Sequence, residues 1–350
     1  MSIRRSSIVL ASVGLVLAAL AVLVRYVVVP IATKLPGDTD ETVRYSGRAT
    51  MLNSEALQSG DTAHAIDSNV PITVDRRLRV TSTHGDTAVM KDVLTVHAGS
   101  QDLLSTHTYA IDRKDMRGST PPSGTSVEPS KGALSSAFPA DGKRDDSCTF
   151  YDSTTRAVVP VQYTDSATRE GRAVNVYKIT AAGPVKDPSM LKTLPAALPK
   201  KLVGGLGASL PEATRAKFTP AAVAALPDPV PLAYTGKTTI LAYVDQQTGI
   251  AIDQTIDQQV IANTVLEGSR TSLLPVSAFN FKITPASVND LGDQAASAGL
   301  LLTLMTDIAP LVLLVIAAAL ILIAYLRRRR PQWATSAISD TDAATGKLVA

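Results

Sequence analysis

The side chains that most often do chemistry are few in this chain: four histidines, His64, His84, His97 and His107, and one cysteine, Cys148. A zinc centre needs three or four converging ligands. These histidines lack HExxH spacing and a cysteine partner, so they read as surface or strand-face residues and no metal site is expected. Cys148 follows Asp145 and Asp146, whose charges disfavour a thiolate. A single cysteine forms no intrachain disulfide, so the fold must rest on packing. GGLGAS from Gly204 lacks GxGxxG spacing and a preceding strand. DGKRDD from Asp141 lacks the alternating oxygen ligands of a calcium loop. There is no GxSxG, no P-loop and no paired catalytic carboxylate. The expectation is a protein with no catalytic residue and no cofactor.

Composition narrows the classes further. Aromatic residues make up 4% of the 350, too few for stacking platforms that hold nucleic acid or sugar. The formal net charge is +3, but between Lys34 and Gly299 there are 26 Lys+Arg against 28 Asp+Glu. The positive excess therefore lies at the chain ends and reports topology, not a nucleic-acid surface.

Two apolar runs lie at those ends. From Ile8 to Val24 there are seventeen residues without a charge. Arg25 interrupts the run, and YVVVPIA continues it to Ala32. At 1.5 Å per residue the uncharged part covers about 26 Å, and with the following residues it spans a hydrocarbon core of about 30 Å. A cleaved signal peptide has a shorter apolar core and a small-x-small site; residues 8–32 read as an uncleaved signal anchor instead. The second run, Ile308 to Leu326, has nineteen residues without a charge and meets RRRRP at once, as a transmembrane helix does; residues 300–326 are its expected extent. The positive-inside rule places Arg4, Arg5 and the cluster Arg327, Arg328, Arg329 and Arg330 in the cytoplasm. Residues 1–7 and 327–350 are then cytoplasmic, residues 33–299 extracytoplasmic, and the chain a two-pass plasma-membrane protein.

The outer segment alternates apolar and polar residues in many short stretches. In ITVDRRLRV, Ile72, Val74, Leu78 and Val80 share one face, with Arg76 an exception among them. Others are VRYSGRATML from Val43, AVMKDVLTVH from Ala88, LLSTHTYAI from Leu103, AVVPVQY from Ala157 and AVNVYKIT from Ala173. KTTILAYVD from Lys237, GIAIDQT from Gly249, QQVIANTV from Gln258 and VSAFNFKI from Val276 follow. Such strands predict a mainly antiparallel sheet, sandwich or half-barrel, so the fold class is an α+β membrane protein with a helix at each end. QQTG between two of the strands predicts a hairpin with Gly249 at positive φ. Residues 118–147 read as a long loop. Thr284-Pro285 reads as an N-cap with Pro at the first helical position.

Residues 187–233 are different: apolar helical pieces punctuated by proline. Leu191, Leu194, Leu198, Leu202, Val203 and Leu206 are candidate ligand-binding residues for a lipid or apolar ligand. The competing reading is that they cap the sheet as ordinary core. Arg25 lies 21 positions beyond Arg4, and Asp307 lies 20 before Arg327. Their matched depth predicts an interhelical ion pair, with independent snorkelling as the alternative.

Over nearly its whole length the chain resembles an actinobacterial family of envelope membrane proteins, the PorA-like porins. The likeness rests on RYVVVPIA at the first anchor, CTFYDSTTRAVVPVQYTD from Cys148, AVNVYKIT, and TTILAYVDQQTGIAI. It implies a cell-envelope location and carries over no functional residue. The leading expectation is an anchored envelope protein whose outer domain binds an apolar ligand or partner protein. The alternatives are a porin or channel-like protein and an accessory subunit of an envelope complex. Membrane lipids and other envelope proteins are the expected partners. A reporter fused after Ala350 is expected to be active only in the cytoplasm, and one inserted within residues 118–147 only outside. Reversed labelling would overturn this orientation.

Overall fold

The computed structural model describes residues 5–329, apart from 141, 146, 209 and 211. Arg4, Arg330 and the tail beyond it lie outside the described residues. In chain order, α1 (Arg5–Leu23), a π turn (Val24–Val28) and α2 (Val29–Ala32) open the chain. Strands β1 (Asp40–Leu52), β2 (Ile66–His84), β3 (Thr87–Ala98) and β4 (Gln101–Asp112) follow, with α3 (Ser54–Ser59) after β1. Next come β5 (Thr149–Asp152), β6 (Ala157–Arg169) and β7 (Arg172–Pro184). An insert then carries α4 (Pro188–Thr193), β8 (Ala197–Leu198), α5 (Lys200–Gly205), α6 (Glu212–Arg215), α7 (Pro220–Ala224) and β9 (Val230–Pro231). The chain continues through β10 (Ala233–Asp245), β11 (Ala251–Leu266), β12 (Ser269–Ile283), α8 (Pro285–Thr303), a second π turn (Leu304–Ile308) and α9 (Ala309–Arg329). Two compact units result: Met1–Ala32 with Leu302–Ala350, and Thr33–Leu301.

The helical unit packs α1 on α9 through small residues. Gly14, Ala21, Ala317 and Ala324 are buried there, and a Cβ on Gly14 would lie 2.7 Å from Ile321 and 3.0 Å from the Ala317 carbonyl. Small residues let helix backbones approach where hydrocarbon gives no hydrophobic drive. The outward side chains, such as Leu15, Val16, Leu311 and Val315, are apolar and exposed. Two stretches, Ile8–Ile31 and part of Pro285–Arg327, are long and apolar enough to cross a membrane.

Each π turn stands just before a proline, Pro30 or Pro310. Proline supplies no N–H, so the carbonyl four residues earlier loses its helical donor. For Pro310 that carbonyl is Thr306, and Arg25 Nη1 donates to it at 3.1 Å. Arg25 therefore meets the backbone beside Asp307; no ion pair between Arg25 and the Asp307 carboxylate is present among the described residues.

The second unit is one ten-stranded antiparallel sheet in the order β4-β3-β2-β1-β12-β11-β10-β7-β6-β5. It consists of two meanders, β1 to β4 and β5 to β12, joined where β1 pairs with β12. The two stretches from Gly249 and Gln258 form the single strand β11. Gly249, at φ +75°, turns the hairpin before it. Met90, Tyr109 and Ile111 share a core cluster with Val161, Ile179 and Ile240. Those residues lie on strands separated by β2, β1, β12 and β11, so the sheet must curl into a half-barrel with this face inside. The described residues between 113 and 148 cross its open side through single bridges, Ile111 to Gly118, Arg117 to Leu134 and Leu134 to Phe150. The expected long loop is therefore a structural strap: Ala133 and Leu134 are fully buried in the same cluster.

Helix α8 starts as its sequence predicts, with Ser287 N–H donating to Thr284 Oγ1 at 3.3 Å. It lays Leu291 and Ala295 on two core clusters. Gly47 on β1 faces Phe281 on β12, and a Cβ there would fall 2.0 Å from the Asn280 carbonyl oxygen. Gly47→Ala is expected to cost about 1–3 kcal/mol of stability by overpacking. The check is the denaturant midpoint of the purified protein; an unchanged midpoint would mean that β1 and β12 are not held this close.

Candidate functional site

Residues paired directly across an antiparallel ladder point to the same face. Leu78 pairs with Asp92, and Asp92 with His107. Leu78 shares its face with Arg76, two residues away. The parity exception in β2 thus places Arg76, Asp92 and His107 on three adjacent strands, all pointing into the half-barrel. Met90, Tyr109 and Tyr45 lie on the same face.

Most of the polar groups there have a partner. Arg76 Nε and Nη2 donate to the two Asp92 oxygens at 3.1 and 2.6 Å, with the two side chains only 16% and 12% exposed. Burial alone would lower the Arg76 pKa, but Asp92 outweighs it and the guanidinium is held more firmly charged than usual. The Tyr45 hydroxyl, beside Arg76, donates to Gln254 Oε1 at 2.9 Å; its ring meets Phe281 edge-on. Further along, His107 Nδ1 lies 2.7 Å from Glu128 Oε2. The Tyr151 hydroxyl donates to Glu128 Oε1 at 2.8 Å, and Arg156 Nε stands 3.6 Å from the same oxygen. Glu128 comes from the strap and is seated by its own N–H on the Thr108 carbonyl at 2.8 Å. Tyr109 joins the two groups, stacked on His107 and edge-on to Tyr151; burial, first, and then the Glu128 and Asp92 charges keep its hydroxyl protonated. Gln258 donates to Thr154 Oγ1 at 2.7 Å on the far side of the sheet order.

The residues singled out from sequence fall elsewhere. Val203 and Leu206 are buried, and Leu194 and Leu198 pack against the same cluster. Leu202 is half-buried and Leu191 is exposed. They cap the ends of β10, β11 and β12 through Tyr234, Leu266 and Leu273. The space left beside Leu198 and Leu206 is about 10 Å³, room for one water at most and none for an acyl chain. The helical stripe Leu191, Leu194, Leu198 is broken, since α4 ends at Thr193 and Leu198 sits in β8. An open cleft of about 340 Å³ on another surface is lined by Arg48, Asn69, Asp257 and Asn280. Of the topology residues, Arg5 opens α1, and Arg327, Arg328 and Arg329 close α9. Among the described residues no group of His, Cys, Asp and Glu could hold a metal. His64 meets Asp61, and His97 meets Asp102.

These features define a class: a curled antiparallel sheet with a charged inner face, in a chain bearing two apolar helices long enough to cross a membrane. The family model described as Porin PorA matches residues 6–326, and the chain belongs to that family of porins. No curated protein matches it. Among solved structures it is similar at 10% identity to a MaoC-like dehydratase from Phytophthora capsici, covering 69% of this chain and 70% of that one with a TM-score of 0.13. An acyl-CoA thioesterase II, TesB2, from Mycobacterium marinum is 11% identical over 70% of this chain and 81% of that one, with a TM-score of 0.12. Likenesses this low carry no argument about fold or chemistry.

The His107–Glu128 pair sets a pH dependence. Desolvation alone would lower the His107 pKa, but Glu128 outweighs it and the value is raised above 6.5. Glu128 is lowered below 4.5, because His107 and Tyr151 outweigh a desolvation that would raise it. The histidine contribution is complete below 6.5 and lost as pH rises through the folded value; the glutamate contribution is complete above 4.5 and lost as pH falls through its folded value. The melting-temperature gap between the protein and His107→Gln is therefore expected to peak between these limits. A gap that stays constant from acid to alkaline pH would contradict the pairing.

Proposed function

We propose that this protein is a porin or channel-like component of the cell envelope, in which the half-barrel interior presents a polar path to small charged solutes. The observation that carries this reading is the two ion pairs, Arg76–Asp92 and His107–Glu128, set among the apolar residues of the inner face. Removing two charges from water costs several kcal/mol per ion, and a charged inner wall is what porins use to admit solutes. Membership of the porin family supports the same reading. The apolar insert, residues 187–233, is then the cap on one end of the half-barrel and not a lipid pocket.

The same chemistry supports a location. The outward faces of β1 and β2 carry Arg44, Arg77 and Arg79 with Asp40 and Asp75, joined in exposed ion pairs. Such a face is suited to water, which supports a reading in which the two helices make the crossing and the half-barrel lies outside; the basic residues at the two ends support cytoplasmic termini. Reconstituted in planar bilayers, the full chain is expected to give discrete conductance steps. In the double variant Arg76→Ala with Asp92→Ala, the anion-to-cation permeability ratio should shift while the steps persist. Silent bilayers containing folded protein would overturn the channel reading.

A further inference from the structure

One corner of the inner face has an order of contacts that conduction does not require. Ser105 and His107 are two residues apart on β4 and share a face. Ser105 Oγ lies 3.0 Å from His107 Nε2, and His107 Nδ1 lies 2.7 Å from Glu128 Oε2. A hydroxyl within hydrogen-bond reach of an imidazole, itself oriented by a carboxylate, is the arrangement of an activated serine nucleophile. We propose that Ser105, His107 and Glu128 form a hydrolytic site for acyl esters.

Each role follows from local geometry. Glu128 is fixed by the Tyr151 hydroxyl and by its own N–H on the Thr108 carbonyl, at 2.8 Å in both cases. With Glu128 ionised, the imidazole proton sits on Nδ1 and leaves Nε2 as the base toward Ser105. Tyr109, stacked on the His107 ring at 6.1 Å between centroids, keeps the ring in that plane. Ser105 is half-buried and so reachable. Leu103, two residues earlier on the same face, is 40% exposed. It offers an apolar rest for the acyl chain, which selects esters of a hydrophobic acid over charged substrates. The Thr108 and Ala110 carbonyls face away from β3 and accept from Glu128 and Ser119. By strand alternation the Thr106 N–H, next after the nucleophile, faces the same free edge as a donor for the developing oxyanion.

In the first step Oγ bonds to the ester carbonyl carbon while its proton passes to Nε2. The carbon–alkoxide bond breaks, and the departing alcohol takes that proton. Water then attacks the acyl-serine, giving its proton to Nε2; the acyl–Oγ bond breaks, Oγ regains the proton, and the carboxylic acid leaves. The site works independently of the conduction proposal.

The test uses the full chain purified in detergent, with a fluorophosphonate probe and p-nitrophenyl butyrate. The probe is expected on Ser105, with ester turnover lost in Ser105→Ala and His107→Ala and reduced about 10²–10⁴-fold in Glu128→Gln. Unfolding midpoints of the variants distinguish lost chemistry from lost structure, and Ser105→Ala, at a half-exposed position, keeps the fold. Absence of both labelling and turnover in the unsubstituted protein would overturn the proposal. So would label on another serine, or turnover unchanged in Ser105→Ala.

Discussion

A guanidinium inside a sheet must find a counter-ion, and that requirement at Arg76 constrains the half-barrel more than any apolar contact. Breaking a buried ion pair by removing one partner costs about 3–5 kcal/mol, a large part of the 5–15 kcal/mol that holds a typical domain together. Asp92 answers Arg76 with both oxygens, and it can do so only when Leu78 stands opposite Asp92 in the ladder. A slip of one residue between β2 and β3 would turn one member of the pair into solvent and leave the other buried. The pair therefore fixes register as well as charge. Register in turn decides that His107 meets the strap, because His107 is the partner of Asp92 on the next strand.

The helical unit obeys the same rule among apolar side chains. A carbonyl left without a partner costs free energy, and Pro310 leaves the Thr306 carbonyl without its helical donor. Arg25 supplies that donor from the other helix. Depth matching between Arg25 and Asp307 was visible in the sequence, and the two residues do come to the same level. The partner differs because the proline creates a nearer and more urgent acceptor than a carboxylate that can reach water.

How much was legible follows from what each feature depends on. Strands and the Gly249 turn depend on period two and on φ, both local, so most of them could be read directly, though the short β5 was missed and β11 was read as two strands. Arg76 was legible as an exception, and AVMKDVLTVH carries a second one in Asp92. Seeing that they meet required the register, which no single strand contains. Glu128 had no signal, since residues 118–147 lack periodicity and the strap is ordered by single bridges to β4 and β5. The triad-like order of Ser105, His107 and Glu128 was hidden for the same reason: His107 looked like a strand-face residue until its third partner arrived from the strap. The leucines of the insert were recognised as more than linker. Their spacing suggested a continuous stripe, but Pro195 and Pro199 divide it, and tertiary packing against Tyr234 and Leu273 decides which of them are buried.

Membership of a porin family has to be reconciled with strands that cannot lie in lipid. A barrel that crosses an outer membrane needs an outward apolar band about 25 Å tall, and β2 instead turns Asp75, Arg77 and Arg79 outward. Polar groups thus occupy both faces of the sheet near its centre: paired ions within, solvated ions without. The helices have the complementary composition, since their outward side chains are apolar over nearly the whole length. The ionic and the apolar surfaces therefore belong to different parts of the chain. One α1–α9 pair encloses no water, because its shared face is closed by Gly14, Ala21, Ala317 and Ala324.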